Sequence, residues 1–358
     1  MKNKNSYAFS AELVYARTTI NTIYCPVCGF KEGRLLYTIT ADEAAQHFVL
    51  KEVDPARNLK LANHIADLWR QYTCDYVECD SCGFVFAYPF VGGDFSFYAL
   101  AYDRSGYPKW KWEYQKTADA ISIISSRKEE YSLRLLEIGA GDGAFVRRIS
   151  PKVVAKEDIL CLEFSEYGRN RILEYGIECL SVDIRTLKPS SLDKLFDIIC
   201  MFQVLEHMDR LEELFNTLNR ISSNYSHLFV TVPNNEQIEF NEISGCLLDM
   251  PPNHISRWNR QVFEKIGISF GWTVLEYQVE PINTADTLKQ QIAYRYLKRS
   301  QDSSSIANLI ERIRYERIRK LLRIVCAGVY ALGRINILFK AVSKNKRGDS
   351  QWVHFQKL

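Results

Sequence analysis

Two groups of residues in this chain have types and spacings that could do chemistry. The first is Glu137-Ile-Gly139-Ala140-Gly141-Asp-Gly143, which follows the apolar pair Leu135-Leu136. An apolar run that gives way to glycine at alternate positions reads as a buried strand bending sharply into a helix near Asp142. Glycine removes the Cβ that would hold a ligand off the backbone, and it permits φ > 0. The helix start then points unpaired N–H groups and a positive dipole end into the bend. A second apolar run, Ile159-Leu-Cys-Leu, ends in Glu163, 20 residues beyond Gly143. A carboxylate at that offset can accept both hydroxyls of a ribose at the crevice of an open α/β sheet, so the pair predicts a nucleoside site.

The second group is Cys25-Pro-Val-Cys28-Gly and Cys79-Asp-Ser-Cys82-Gly. Each knuckle turns tightly enough to aim two thiolates at one ion, and the pair completes a closed, structural Cys₄ zinc site. Two CxxCG units oppose the alternative of four unrelated buried thiols. Cys74 competes as a ligand, with His47 and His64 behind it. Residues 41–73 carry Ala, Leu, His and Trp at helical spacing, which predicts a helical excursion between the knuckles.

Dinucleotide enzymes space their glycines G-x-G-x-x-G. Here the pattern is E-x-G-x-G-x-G, which resembles motif I of the class I S-adenosylmethionine-dependent methyltransferases. Later segments resemble the same family in order. Ile177–Asp183 is similar to its third strand, Phe196–His207 to its fourth with an "LEH" continuation, and Leu228–Asn234 to its fifth. Trp272–Val279 and Gln351–Gln356 can supply the sixth and seventh. Asp249-Met-Pro-Pro-Asn-His-Ile-Ser-Arg-Trp258 resembles the "PPxH" loop of a subgroup found beside sugar and polysaccharide genes. Zinc-ribbon extensions precede the glycine motif in that subgroup, followed by a segment like Cys82-Gly-Phe-Val-Phe-Ala-Tyr-Pro89 and a tyrosine-rich stretch, here Phe97, Tyr98, Tyr102 and Tyr107.

The resemblance implies an α/β, Rossmann-like fold with a seven-stranded methyltransferase sheet. An N-terminal zinc-ribbon region with its helical excursion would occupy 1–94 and the methyltransferase domain 95–358, with a basic helical insertion over 284–347 before the last strand. It also implies S-adenosyl-L-methionine as donor, held by Glu137, Gly139, Ala140, Gly141, Gly143, Glu163, Phe164, Asp183, Phe202 and Gln203. Asp183 would face the adenine amino group and Glu137 the donor's amino group. Methyl transfer from a sulfonium chiefly requires positioning, with a base needed only for a protonated acceptor. His207, at the carboxyl edge of the sheet, and His254, held in the proline loop, are the catalytic candidates. Loop orientation and a local backbone bond are their competing roles. Glu206 is expected at a solvent-facing helix start, and Arg257 either at an acidic acceptor or in a surface ion pair.

The elements that must position these groups fit an ordinary soluble composition of 47% hydrophobic and 25% charged residues over 358 positions, ample for a large core. Met1–Ser10 lacks a basic-then-apolar export pattern, and no apolar run is long enough to span a bilayer. These features predict a cytoplasmic enzyme whose ten cysteines are thiols or ligands. From Arg295 to Arg347 fourteen Lys/Arg face three acids, whereas the whole chain is only +3. Apolar residues recur there at helical spacing from Ile306 to Leu332, predicting an amphipathic basic helix or pair split at Gly333. Such helices suit a packed lid or dimer face, an anionic membrane surface through residues 306–343, nucleic acid, or a phosphate-bearing substrate such as a nucleotide sugar.

The acceptor implied by the subgroup is a sugar, nucleotide sugar or glycan precursor. The alternatives are an RNA methyltransferase gripping phosphates through ribbon and basic helices, and a non-catalytic donor-binding module. Gln203-Val-Leu-Glu206 stands where base N-methylating enzymes carry "(N/D)PPY", which argues against base N-methylation, and nucleic acid is not the expected partner. The glycine spacing opposes a nicotinamide oxidoreductase.

Overall fold

The computed structural model describes residues 19–20, 23–102, 106, 109–127, 132–243, 249–332 and 347–358. Tyr107 and the stretch 333–346, with Gly333, lie outside them.

Near the N-terminus, β1 (Thr19–Ile20), β2 (Gly33–Thr40), β3 (Thr73–Cys79) and β4 (Val85–Tyr88) form an antiparallel sheet. The expected excursion is present between β2 and β3 as α1 (Ala41–Phe48) and α2 (Pro55–Trp69). Thr40 and Glu43 form a capping box on α1. Asp54 caps α2 ahead of Pro55, and Arg70 ends it in the left-handed conformation. Then α3 (Phe95–Ala101) and α4 (Trp112–Ser126) lead into the second sheet.

That sheet starts with β5 (Leu135–Ile138), the short α5 (Val146–Ile149), β6 (Ile159–Leu162), α6 (Glu166–Glu174) and β7 (Glu178–Leu180). It continues with β8 (Phe196–Phe202), α7 (Leu211–Ile221), β9 (Ser222–Pro233) and α8 (Asn235–Ile243). A two-residue strand, β10 (Ser256–Arg257), precedes α9 (Arg260–Ser269) and β11 (Trp272–Pro281). The insertion is α10 (Thr284–Ser300), α11 (Ile306–Glu311) and α12 (Glu316–Leu332), and β12 (Arg347–Lys357) comes last.

The seven strands run β11-β12-β9-β8-β5-β6-β7. The pairs joining β7, β6, β5, β8 and β9 are parallel, and β12 enters antiparallel between β9 and β11. The resemblance implied this seven-stranded α/β, Rossmann-like sheet with an insertion before the final strand. Strands β5 and β6 are buried at every position, as central parallel strands covered on both faces must be. Helix α7 buries Leu211, Leu214, Phe215, Leu218 and Ile221 on one stripe against one face. On the other face Ile121, Phe145, Ile149, Ile172 and Trp352 pack into a second cluster.

The N-terminal sheet does not close on its own residues. Strand β10, which follows the proline loop, pairs antiparallel with β4, Ser256 opposite Phe86. Trp258, fully buried, meets Phe84 at 4.9 Å and stacks on Phe263 at 5.3 Å. One hydrophobic cluster therefore runs from Cys25 and Cys82 through Trp258 to Val353 and Phe355.

Candidate active site

The chain leaves β5 through three glycines with positive φ, 71° at Gly139, 58° at Gly141 and 78° at Gly143. A Cβ on Gly139 would stand 2.6 Å from Val204 Cγ2, and one on Gly143 2.8 Å from Ile172 Cγ1. Neither space nor conformation admits a side chain. The helix begins at Val146, not near Asp142 as the sequence suggested, and is only four residues long. The left-handed turn at Gly143 keeps the preceding residues out of helix, so loop geometry rather than a helix dipole shapes this bend.

The bend forms one wall of a cavity of about 300 Å³ lined by Lys111, Tyr114, Gly139, Ala140, Gly141, Asp142, Ala144, Glu163, Phe202 and Gln203. The Glu163 carboxylate accepts the N–H groups of Gly141 at 2.7 Å and Ser165 at 2.8 Å. Burial raises its pKa against the pull of those donors. Asp142 spends Oδ2 on Arg147 at 2.9 Å, and its buried Oδ1 has no partner among the described residues.

Other sequence candidates sit elsewhere. Glu137 is 1% exposed beneath the bend and off the cavity wall, its pKa pushed well up by burial and by the Glu163 charge. Asp183 gives both oxygens to the Arg185 guanidinium, at 2.9 and 3.0 Å from Nε. Phe164 is exposed, and Gly143 shapes the loop without lining the cavity.

A second cavity, about 200 Å³, shares Lys111 and Gln203 with the first. Beside Pro233 and Ile238 its wall is mostly polar: Gln237 and Asn241 of α8, Asp249 of the proline loop, Gln290 and Tyr294 of α10, and Asp349 and Ser350 of β12. The fully buried Gln291 of α10 donates to Asn241 at 3.0 Å and so joins α10 to α8, within which Gln237 donates to the same Asn241 oxygen at 2.9 Å. The insertion thus begins as a wall of this cavity. Sequence reasoning missed these residues because no local pattern brings α8, α10 and β12 together.

Behind Asp249 lies a cluster of titratable groups. His254 Nδ1 meets Asp249 Oδ1 at 2.8 Å, and the rings of His254 and His207 are 4.6 Å apart. His207 Nδ1 lies 2.6 Å from the Asn253 carbonyl and 3.0 Å from the Tyr98 hydroxyl. A bond to the carbonyl requires Nδ1 to carry the proton, which leaves the Nε2 lone pair available. That Nε2 is 3.9 Å from Glu206 Oε1. Glu206 is 1% exposed, contrary to the solvent-facing expectation, and neither carboxyl oxygen has a hydrogen-bond partner among the described residues. Burial raises its pKa to about 7 and lowers that of His207 to about 3. Burial pulls His254 down too, but Asp249 and Glu206 outweigh it and raise the value. His207 and His254 therefore lie side by side, yet reach the cavity only through Asp249. Arg257 is 5% exposed and faces neither solvent nor an acceptor; it pairs with Glu242 and lies 4.6 Å over the Tyr76 ring.

Among the described residues, the knuckle cysteines converge. Cys25 and Cys82 sulfurs are 3.6 Å apart, as are those of Cys28 and Cys79, and all four lie within 4.8 Å of one another. A tetrahedral zinc at ~2.3 Å from each sulfur needs sulfur separations of roughly 3.8 Å, so this donor set fits. Cys74 stands apart, with its sulfur 3.6 Å from the Asp75 carbonyl.

A mostly parallel sheet carrying a glycine bend and an acid on the neighbouring strand is the arrangement by which doubly wound folds take a nucleoside-bearing cofactor. Residues 110–277, a little under half of the chain, match the family model described as a methyltransferase domain. Among solved structures it is similar to coclaurine N-methyltransferase bound to N-methylheliamine and SAH (14% identity, 72% of this chain and 76% of that chain, TM-score 0.42). It is also similar to magnesium protoporphyrin IX methyltransferase from Synechocystis PCC 6803 with bound SAH (10%, 71% and 90%, 0.40). A third is an S-adenosylmethionine dependent methyltransferase from Mesorhizobium loti (13%, 68% and 98%, 0.41). No curated protein sequence matches this one.

Proposed function

We propose that this protein transfers a methyl group from S-adenosyl-L-methionine to a hydroxyl-rich small molecule of the sugar, nucleotide-sugar or glycan-precursor class. The observation that carries the reading is the pair of cavities meeting at Lys111 and Gln203, one on the glycine bend and one walled by amides and carboxyls. When bound, the donor supplies an electrophilic methyl group and a neutral leaving group. The protein's residues do the holding. Glu163 keeps lone pairs for ribose hydroxyls beyond the two N–H groups it accepts, and the unpartnered Asp142 Oδ1 suits the donor's ammonium. Gln237, Asn241, Asp249, Gln290 and Asp349 offer paired donors and acceptors, which a polyol matches and an apolar ring does not. The acceptor proton passes into the Asp249, His254, His207 and Glu206 cluster, where a neutral His207 serves as base. The four cysteines hold a structural zinc.

The test is calorimetry with S-adenosylmethionine or its demethylated product, followed by transfer of labelled methyl to a panel of nucleotide sugars and to RNA. Binding of the donor with label appearing in a sugar supports the reading. Label confined to RNA, or a folded protein giving no heat with either form of the donor, overturns it.

A further inference from the structure

We propose that the outward face of α12 docks on the surface of an anionic lipid bilayer. At roughly 100° per residue, Ile318, Leu321, Leu322, Val325, Val329 and Leu332 fall on one side of this helix. In a helix packed on a globular core that side faces inward. Here it faces out: no α12 residue is buried, and these six are between 36% and 72% exposed. The opposite side, with Arg319, Cys326, Ala327 and Tyr330, is the half-buried one. It is held by polar contacts, Arg323 to Glu311 and Arg299 6.0 Å over the Tyr330 ring, while Glu311 also accepts the Tyr296 hydroxyl at 2.7 Å. A contiguous apolar surface of this kind marks a contact face.

Charge decides what the face contacts. Between Glu311 and Arg323 the sequence has six basic residues against two acids. Arg314, Arg317 and Lys320 are exposed and form no ion pair among the described residues. Arg314 stands just ahead of the helix, Arg317 follows one edge of the apolar side and Arg319 lies beyond the other. Pairing with a second copy would bring two such basic clusters together in a partly desolvated contact. An anionic headgroup layer attracts them, with long basic stems reaching phosphates while the apolar residues enter the acyl boundary. No described helix is long and apolar enough to cross a membrane, so α12 lies along the surface. The body of the protein is joined to its other side through α10 and α11 and stays clear of the lipid.

The test is co-sedimentation of the full-length protein with phosphatidylcholine vesicles, with and without phosphatidylglycerol. Binding to the anionic vesicles should be at least about tenfold tighter than to neutral ones and should weaken with added salt. Leu321→Glu with Val325→Glu should lose most of it while retaining the wild-type circular dichroism and melting curve. Ile268→Glu, at a 76% exposed apolar site on α9, should bind like wild type. Absence of binding at low salt, or equal binding by the double variant, overturns the proposal. So does a concentration-dependent dimer that the double variant abolishes, which would assign the face to a second copy.

Discussion

Glu206 and His207 adjoin in sequence, and burial moves their protonation in opposite directions. The carboxyl is held up to about 7 and the imidazole down to about 3, so at neutral pH the histidine is unprotonated beside an acid that is half ionised. Replacing His207 with Asn should lower kcat about 10²- to 10⁴-fold while donor affinity measured by calorimetry stays put. Below pH 7 Glu206 holds its proton and cannot stabilise an imidazolium; above it the carboxylate can. The wild-type kcat should therefore rise as pH passes through about 7, and Glu206→Gln should lose that limb. At the donor site, Glu163→Ala removes the acceptor of the Gly141 N–H as well as the proposed ribose contact. It should weaken donor binding by about 1.5–3 kcal/mol, or tenfold to hundredfold. An unchanged Kd would exclude a ribose-holding role for this acid.

Elements set a second group of properties, and β12 shows it well. His354 stacks on Phe229 of β9 at 4.4 Å and meets His227 at 2.9 Å, and burial with the neighbouring His227 and Lys116 charges lowers its pKa to about 3. The unfolded chain titrates this imidazole near 6.5, so it gains a proton on going from pH 7 to pH 5 that the folded state refuses. Stability contributed by the neutral His354 is thus complete above 6.5 and declines as pH falls. Relative to wild type, His354→Gln should gain up to about 2 kcal/mol between pH 7 and pH 5, read from urea midpoints. A difference that does not move with pH would refute the neutral assignment. The strands themselves were legible from sequence wherever they were short apolar runs, because a parallel strand covered on both faces needs little else. The true helix start at Val146 was not, since three residues of loop geometry depend on which glycines adopt positive φ. Nor was β10, two polar-looking residues whose strand identity comes from β4, a partner far away in the chain. The inverted packing of α12 was equally hidden: periodicity reveals an apolar side, not the direction it faces.

At the scale of the whole molecule, the cysteine cluster and the proline loop are one construction. Cys79 and Cys82 flank the turn into Phe84, Phe84 packs on Trp258, and Trp258 follows the two residues that pair with β4. Asp249 and His254 belong to the loop entering that pairing. Stripping the proposed zinc with a strong chelator, or substituting Cys82 with Ser, should therefore lower the melting temperature and raise the acceptor KM, with the donor Kd little changed. Loss of donor affinity in equal measure would mean that the two halves are not separable in this way. The sequence marked the cysteines and the proline loop independently, but their mutual support became visible only through β10.

Strand β12 has a consequence for biosynthesis. Its place between β9 and β11 is filled by residues that leave the ribosome long after both neighbours, with the whole of α10–α12 translated in between. Until then the nascent chain presents two bare strand edges that only a late, distant segment can satisfy. Translation arrested before Arg347 should give a product captured by chaperones rather than a smaller active enzyme.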